Sequence, residues 1–343
     1  SFMKRFPHLV PVLGAAALLA ALCFIKPPGS SPADVPIHRS DFLLNTFVDI
    51  AIYDSRDESI LDGAMALCRE YENRFSRTLS GSEVYRLNHR EDATGTYPLS
   101  DDMTNLLATA LYYCERSGGA FDITTEPLSS LWNFSGTSPE VPPAAAIEEA
   151  RKKVDYKKLR LDGTRSTLTF LDPGTSIDLG AIAKGYIADR LKAYLLDSGV
   201  ESAMINLGGN VLCVGSRPDG TPFTVGLQKP FADRNETFAQ VEVSDLSVVA
   251  SGVYERHFVE DGKNYHHILD PSTGYPYDNG LISVTILSER SVDGDALSTT
   301  CFSLGLSRGM ELVESMDGVY ACFIDEDYQI HYSDGMEKFL RKD

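Results

Sequence analysis

The spacing of hydrophobic residues in the first third of the chain predicts one strand and two helices. Apolar and polar residues alternate over residues 42–53, which is typical of a β-strand with one buried face. Between residues 58 and 75 the apolar positions recur every three or four residues, so we expect an amphipathic helix there. A second helix is predicted to begin behind Ser100, a favourable N-cap, and to end before Gly118 and Gly119.

The rest of the chain mixes short strand patterns with further helices and contains no internal repeat. Residues 135–146 predict a surface loop, and residues 157–171 predict a hairpin with its turn at Asp162-Gly163. A turn that leads into a helix is expected over residues 178–196. Because strands and helices do not alternate strictly, the expected fold class is α+β. The other predicted elements are a helix after Ser291 and strands at 203–207, 223–227, 239–243, 248–250, 266–269, 319–324 and 329–332.

An apolar N-terminal segment sets residues 1–36 apart from the rest of the chain. Lys4 and Arg5 precede an apolar run over residues 9–25, and a spacer rich in proline, glycine and serine follows this run. This order is typical of an export signal or of an uncleaved membrane anchor. Cys23 invites a lipoprotein interpretation, although Leu22 before it is bulkier than such cleavage sites normally accept. We therefore expect an exported protein with its folded domain at 37–343 and its mode of anchoring open.

Charge and cysteine content exclude several classes of function. The formal net charge of −18 over 343 residues argues against binding to a nucleic-acid backbone. The cysteines beyond Cys23 form no Cys-x-x-Cys pair, and none lies near histidine at metal-ligand spacing. Most have apolar neighbours, so we expect buried free thiols rather than a disulfide framework or a zinc site.

A glycine-bearing turn before the predicted helix at 178–196 is the first segment that suggests chemistry. A glycine turn that opens a helix exposes main-chain N–H groups at the positive end of the helix dipole. Lys184 adds a full positive charge one turn into this helix. The segment therefore suits a phosphate group, although an ordinary helix with a surface lysine would have the same sequence.

Two further segments carry oxygen and nitrogen donors. In the predicted helix after Ser291, Asp295 and Thr299 are four residues apart and share a face, and such hard oxygen donors suit Mg²⁺. Alternatively, the acidic residues of this segment stabilise the start of the helix, and the threonine bonds back to its own helix. His267 follows a strand pattern before the turn that begins at Asp270, where it could act as a general base, as a phosphate ligand or only structurally.

Together these segments resemble the ApbE family of FAD:protein FMN transferases, once described as thiamine-biosynthesis lipoproteins. The resemblance runs over residues 44–323, with five motifs in the family's order. It implies an ApbE-type fold, with mixed and mostly antiparallel sheets, flanking helices, and an FAD site between two interleaved subdomains. The motifs are Ala120-Phe121-Asp122-Ile123-Thr124 with Pro127-Leu128 and Leu131-Trp132, Asp178-Leu179-Gly180-Ala181-Ile182-Ala183-Lys184-Gly185, Ile205-Asn206-Leu207-Gly208-Gly209-Asn210, His267-Ile268-Leu269-Asp270-Pro271-x-Thr273-Gly274-x-Pro276 and Asp295-Ala296-Leu297-Ser298-Thr299.

The resemblance also implies which residues bind the metal and FAD. A magnesium ion would be held by the main-chain carbonyl of Ala181 together with Asp295 and Thr299. Two positions depart from the family pattern, since Leu44 begins the segment that is usually Met-Gly-Thr, and Thr78 stands where an aromatic residue often follows the first helix. The implied FAD contacts are Leu44, Thr78, Ala120, Phe121, Asp122, Asp178, Lys184 and Ile268.

The reaction implied by the resemblance is transfer of the FMN moiety of FAD to a threonine hydroxyl of another protein, with release of AMP. Mg²⁺ would neutralise the pyrophosphate, and either His267 or Asp270 would accept the threonine proton. Two alternatives stay open, namely an FAD pyrophosphatase that uses the same site and an exported FAD-binding protein without catalysis.

The resemblance further implies a partner and a location. The expected acceptor is a subunit of a membrane redox complex or an exported reductase that carries an Asp-x-x-Ser/Thr/Gly-Ala-Thr-like sequence. Together with the N-terminal segment, this places the protein on the periplasmic or cell-surface face of a bacterial membrane.

Overall fold

The structure is a computed structural model that describes residues 35–343. The predicted export segment, including Cys23, lies outside these residues except for residues 35 and 36. No helix within residues 35–343 is both long and apolar enough to cross a bilayer.

The described residues form helices and strands in a mixed order, joined in places by short 3₁₀ turns at Tyr156–Lys158 and Met336–Phe339. The helices are α1 (Glu58–Phe75), α2 (Glu83–Asn88), α3 (Asp101–Arg116), α4 (Glu126–Trp132), α5 (Ala144–Arg151), α6 (Ala183–Asp197), α7 (Ser291–Leu304) and α8 (Leu306–Glu314). The strands are β1 (Ile37–Leu43), β2 (Thr46–Ile52), β3 (Thr96–Pro98), β4 (Leu159–Asp162), β5 (Thr167–Phe170), β6 (Ala203–Leu207), β7 (Asn210–Val214), β8 (Phe223–Gln228), β9 (Thr237–Val243), β10 (Ser247–Gly252), β11 (His257–Glu260), β12 (Lys263–His266), β13 (Leu281–Ser288), β14 (Tyr320–Asp325) and β15 (Ile330–Tyr332).

An eight-stranded antiparallel sheet in the order β1-β2-β6-β7-β10-β13-β14-β15 forms the centre of the fold. Along β7, Leu212 and Val214 face one core, which also contains the apolar faces of α1, α3, α6 and α7. Val211 and Cys213 face the opposite side, where the β8–β9 hairpin packs on the sheet. Antiparallel strands with helices on one face confirm the predicted α+β class.

The N-terminal strand prediction was wrong in one respect. Residues 42–53 are not one strand, because the chain turns at Leu44 and Asn45 and then runs back as β2. Both turn residues have positive φ, 56° and 60°, as a two-residue hairpin turn of the primed type requires. No glycine marks this turn, so the alternating pattern runs through it without interruption.

Other local predictions are confirmed. Helix α1 has the predicted bounds, and the Ser100 hydroxyl accepts the main-chain N–H of Met103 at 3.1 Å, as an N-cap should. The strand predicted over 266–269 is displaced toward the N-terminus, since β12 runs over Lys263–His266 and shares only His266 with the prediction. The five cysteines of the described chain are buried free thiols, as expected: Cys68, Cys114, Cys213, Cys301 and Cys322.

Candidate active site

A cleft of about 2100 Å³ opens between the start of α6, the middle of α7, the β1–β2 turn and the β8–β9 hairpin. We call it the main cleft. It is lined by every predicted site residue except Asp270. The residues brought together are Leu44, Thr78, Ala120, Phe121, Asp122, Asp178, Ala181, Lys184, His267, Ile268, Asp295 and Thr299.

The contact between α6 and α7 brings the predicted phosphate and metal residues to one end of the main cleft. Gly185 allows this contact, because a Cβ there would overlap the carbonyl oxygen of Ser291 and lie 2.7 Å from the Cβ of Asp295. The Gly185 N–H also donates to Oδ2 of Asp295 at 2.8 Å. The close approach therefore places Lys184, which precedes this glycine, beside the carboxylate of α7.

Asp295 is a buried carboxylate, only 7% exposed. Burial raises its pKa to about 6, and the charge of Lys184 and the Gly185 N–H offset part of this effect. Burial lowers the pKa of Lys184, and the Asp295 carboxylate works against that shift. One turn along α7, the Thr299 hydroxyl lies 3.3 Å from the hydroxyl of Ser251. A carboxylate, a hydroxyl and a lysine thus share a site from which much of the water is excluded.

The start of α6 offers fewer free N–H groups than the sequence suggested. The amide of Gly180 donates to Oδ1 of Asp178 at 2.8 Å, and those of Ile182 and Ala183 donate to the carbonyl of Leu179. With the Gly185 amide bound to α7, the amides of residues 179, 181 and 184 are those in this turn that lack a partner among the described residues. The attraction for a phosphate therefore comes mainly from the Lys184 side chain and the helix dipole.

Residues 178–185 and α7 nevertheless present a donor set that fits magnesium. Mg²⁺ is usually held by one or two carboxylates, with water and substrate phosphates completing its coordination. The described residues contain no cluster of three or more His, Cys, Asp or Glu side chains. A metal here would therefore depend on the Asp295 carboxylate with uncharged oxygens, and Thr299 and Ala181, which have a hydroxyl and a main-chain carbonyl to offer, line the same cleft. A buried carboxylate with a raised pKa also gains when a cation restores its charge.

His267 reaches the main cleft just after β12. Burial lowers its pKa to about 3, with the nearby charges of Arg256 and Lys184 adding to the shift. Its Nδ1 is buried and has no hydrogen-bond partner in the described residues. The imidazole is therefore neutral at physiological pH, and no hydrogen bond within the described residues satisfies its Nδ1.

Asp270, the other residue predicted to act as a base, does not line the main cleft. Its Oδ1 accepts the main-chain N–H of Ser272 at 2.8 Å and the Ser272 hydroxyl at 2.7 Å. Its carbonyl accepts the N–H of Gly274 at 2.7 Å. The residue thus closes its own turn, and the structure does not place it with His267.

The acidic residues predicted to contact FAD are also anchored in the protein. Asp122 uses both carboxylate oxygens, one toward Thr124 and one toward the Tyr156 N–H at 3.0 Å, and burial raises its pKa. Asp178 accepts the Gly180 N–H and lies 3.7 Å from Nε of Arg77. Both side chains line the main cleft, and their contacts within the protein hold its wall in place.

The remaining predicted contacts form the rim and the apolar wall. Phe121 and Ile268 are buried, at 3% and 4% exposure, so each presents only a small surface to the main cleft. The main chain of Leu44 donates to a carboxylate oxygen of Glu72, which fixes the β1–β2 turn over α1. Thr78 is exposed in the loop between α1 and α2.

Sequence reasoning missed a charged group next to His267. Glu255 and Arg256 follow β10 and line the main cleft together with Arg234 from the loop between β8 and β9. Burial raises the pKa of Glu255 to about 7, although Lys184 and both arginines lower it. Arg256 has a positive φ of 30°, which a residue with a side chain rarely adopts. A charged pair shortly after the strand pattern at 248–250 was the only signal in the sequence.

Comparison with known proteins agrees with this geometry. The ApbE family model matches residues 44–324, which is most of the chain. The chain belongs to the ApbE family. Its relatives include an FAD:protein FMN transferase of Klebsiella pneumoniae, 37% identical over 293 residues that cover 85% of this chain and 90% of that protein. Another, from Treponema pallidum, is 32% identical over 343 residues, with 94% of each chain covered.

Solved structures of this family share the fold. The ApbE protein of Thermotoga maritima matches with a TM-score of 0.81 and 32% identity, covering 90% of this chain and 100% of that one. The flavin transferase ApbE of Vibrio cholerae matches with a TM-score of 0.79 and 27% identity, covering 89% of this chain and 99% of that one. The family and the fold predicted from the motifs are therefore both confirmed.

Proposed function

We propose that this ApbE family member transfers the FMN moiety of FAD to a threonine hydroxyl of an acceptor protein and releases AMP, with Mg²⁺ as the metal. The observation that carries the proposal is the end of the main cleft where Lys184, Asp295, Thr299 and His267 meet. A buried carboxylate beside a lysine at a helix N-terminus suits a metal-bound pyrophosphate. Relatives that cover most of this chain carry the name FAD:protein FMN transferase.

Each residue has a role that follows from its place. Asp295, Thr299 and the Ala181 carbonyl would hold the metal, which supplies positive charge to the pyrophosphate and so makes AMP a better leaving group. Lys184, at the positive end of α6, stabilises negative charge that develops on the transferred phosphoryl group.

The threonine oxygen attacks the phosphorus of the FMN half, and the bond from that phosphorus to the AMP oxygen breaks. The hydroxyl proton goes to a neutral base, for which we propose His267 rather than Asp270, because only His267 lines the main cleft. The weak basicity of the buried imidazole increases once an anionic substrate lies nearby, since the anion favours the protonated form.

We also propose an exported location. Residues 1–36 carry the basic start and the apolar run of an export signal or anchor, so the domain would act on the outer face of a bacterial membrane. The acceptor would be a subunit of a membrane redox complex or an exported reductase with an Asp-x-x-Ser/Thr/Gly-Ala-Thr-like sequence. An alkaline phosphatase fused behind residue 343 tests the location, because this reporter is active only after export. An inactive fusion made in normal amounts argues against export.

The activity itself is tested by intact mass. A protein carrying the proposed acceptor sequence is incubated with this chain, FAD and Mg²⁺, in parallel with EDTA and Asp295→Ala controls. We expect the acceptor to gain the mass of one FMN, and this gain to disappear in both controls. If AMP and free FMN accumulate while the acceptor mass stays fixed, the protein is an FAD pyrophosphatase. If FAD binds and no product forms, the chain is a flavin-binding protein.

A further inference from the structure

Strand β8 is an edge strand that borders the main cleft along its whole length. Within residues 35–343 it pairs only with β9. Residues 221–228 all line the main cleft, although the side chains of Phe223, Val225 and Leu227 are buried in the core beneath the hairpin. These three side chains therefore anchor β8 to the core, and Thr224 and Gly226 between them are exposed.

The hydrogen-bond register shows which main-chain groups face outward. Gln240 of β9 uses its carbonyl to accept the N–H of Arg341 at 2.9 Å, so this carbonyl points away from β8. Gly226 lies opposite Gln240. In an antiparallel pair, opposite residues either bond to each other or both point away, so the N–H and C=O of Gly226 point toward the open edge. The same holds two residues earlier, for Thr224.

The odd-numbered residues on the same side of the hairpin give an independent check of this direction. Lys229, an odd-numbered position, donates its main-chain N–H to the carbonyl of Glu236 across the hairpin at 2.8 Å. The register shift between Leu227 and Gln228 places its extra residue, Phe238, on β9, so the alternation along β8 is kept. Odd positions of β8 therefore point toward β9, and even positions point away. Thr224 and Gly226 form no main-chain hydrogen bond elsewhere in the described chain. Such outward N–H and C=O groups form a template for another strand.

The space next to this edge has a floor. Met204 and Asn206 of β6 alternate with the buried residues 203, 205 and 207, so they lie on the sheet face that carries the β8–β9 hairpin. Both line the main cleft, as does Asp49, which lies opposite Asn206 on β2. The hairpin core covers β7, β10, β13 and β14 but contains only a partly buried Met204 from β6. An uncovered trough therefore runs beside β8.

The main cleft has room for a second ligand beside FAD. Pockets for small molecules usually enclose about 300–1,000 Å³. The main cleft encloses about 2100 Å³, and it is continuous from Asp295 to the trough beside β8. The reacting hydroxyl belongs to a protein, so a stretch of acceptor chain has to enter this space.

We propose that the acceptor segment binds in extended form as an added strand along the open edge of β8, with its threonine directed to the Asp295 end of the main cleft. This inference rests on the proposed transferase activity. Main-chain hydrogen bonds to Thr224 and Gly226 hold the segment whatever its side chains are, and the trough selects those that fit over Met204 and Asn206. None of these residues of β6 and β8 is among those that the family resemblance implies as FAD contacts.

The first test removes one outward N–H without touching the hairpin ladder. Thr224→Pro deletes this N–H on an edge strand, where proline is tolerated, and Thr224→Ala is the matched control that keeps it. The probe is a synthetic peptide with the Asp-x-x-Ser/Thr/Gly-Ala-Thr-like sequence. We expect Thr224→Pro to raise the KM for the peptide at least about fivefold, with kcat and the Kd for FAD unchanged, and Thr224→Ala to behave as wild type.

The second test uses the wild-type protein and so does not depend on how the variants fold. Hydrogen exchange of residues 222–228 is measured with FAD alone and with FAD plus the peptide. We expect the amides of Thr224 and Gly226 to exchange quickly in the free protein and to become protected by the peptide. Protection that depends on protein concentration and not on the peptide would mean that a second copy of the chain occupies the edge, which overturns the proposal.

The outcomes separate the two proposals. Transfer by wild type, with an equal KM for Thr224→Pro and Thr224→Ala and no protection of β8, overturns the docking site and leaves the activity standing. Absence of transfer by wild type refutes the proposed activity, and the docking site with it. A raised KM in Thr224→Pro alone, together with protection of Thr224 and Gly226, supports the added strand.

Discussion

Replacing Gly185 by alanine should force α6 and α7 apart. The new Cβ would overlap the carbonyl oxygen of Ser291 and lie 2.7 Å from the Cβ of Asp295, and neither atom can move without its helix. Overpacking of this kind costs about 1–3 kcal/mol, and the upper end applies where main chain is struck. Alanine stabilises a helix by about 1 kcal/mol relative to glycine. We therefore expect the free energy of unfolding to fall by about 2 kcal/mol.

The effect on activity should exceed the effect on stability. The displaced helices carry Lys184 and Asp295, and a misplacement of about 1 Å at a reacting centre can reduce a rate about 100-fold. Urea denaturation gives the free energy of unfolding, and the initial rate of FMN transfer at saturating FAD and Mg²⁺ gives the activity. Both are measured below the unfolding transition, so that the rate reports folded protein only.

Gly63→Ala is the matched control. Gly63 also lies inside a helix, α1, but its new Cβ would meet only the end of the Tyr194 side chain, which can rotate away. The lost hydrogen bond from Tyr194 to the Ile60 carbonyl costs about 1 kcal/mol, which the helix preference of alanine offsets. We expect little change in stability or rate. If Gly185→Ala instead matches this control in both measurements, the close contact does not position the site.

Three further predictions concern the charges and thiols of the described residues. Asp295→Asn keeps the acceptor for the Gly185 N–H but loses the charge. The rate of FMN transfer should therefore fall at least about 100-fold, while FAD binding in EDTA is retained. A variant with the wild-type rate would exclude Asp295 as a metal ligand. Burial lowers the pKa of His267 to about 3, and protonation removes the base, so kcat/KM for FAD at saturating Mg²⁺ should stay constant as the pH is lowered to about 4. Bound FAD favours the imidazolium, so on acidification kcat should begin to fall at a higher pH than kcat/KM does. If both quantities fall at the same pH, or if His267→Gln shows the same profiles, His267 is not the base. Burial raises the pKa of the five described thiols, so iodoacetamide at pH 8 should label none of them in native protein and all of them in urea, as mapped by mass spectrometry; labelling in native protein would refute their burial. These thiols are Cys68, Cys114, Cys213, Cys301 and Cys322.

The sequence determined those parts of the fold that depend on neighbours within a few residues. Helix α1 follows from its apolar spacing, and the start of α3 follows from the Ser100 cap. Asp295 and Thr299 share one helix face because they are four residues apart in α7. The family could also be predicted from the sequence, because each of its five motifs consists of residues close together in the chain.

Tertiary structure alone decided how these parts meet. Asp270 looked as available as His267 in the sequence, yet its carboxylate closes its own turn, whereas His267 faces the main cleft. The charged pair that begins at Glu255 reaches the same site without any motif to announce it. The bond from Gly185 to Asp295 joins residues 110 positions apart in the chain. The packing of whole helices and strands sets such contacts, so no local pattern of residues encodes them.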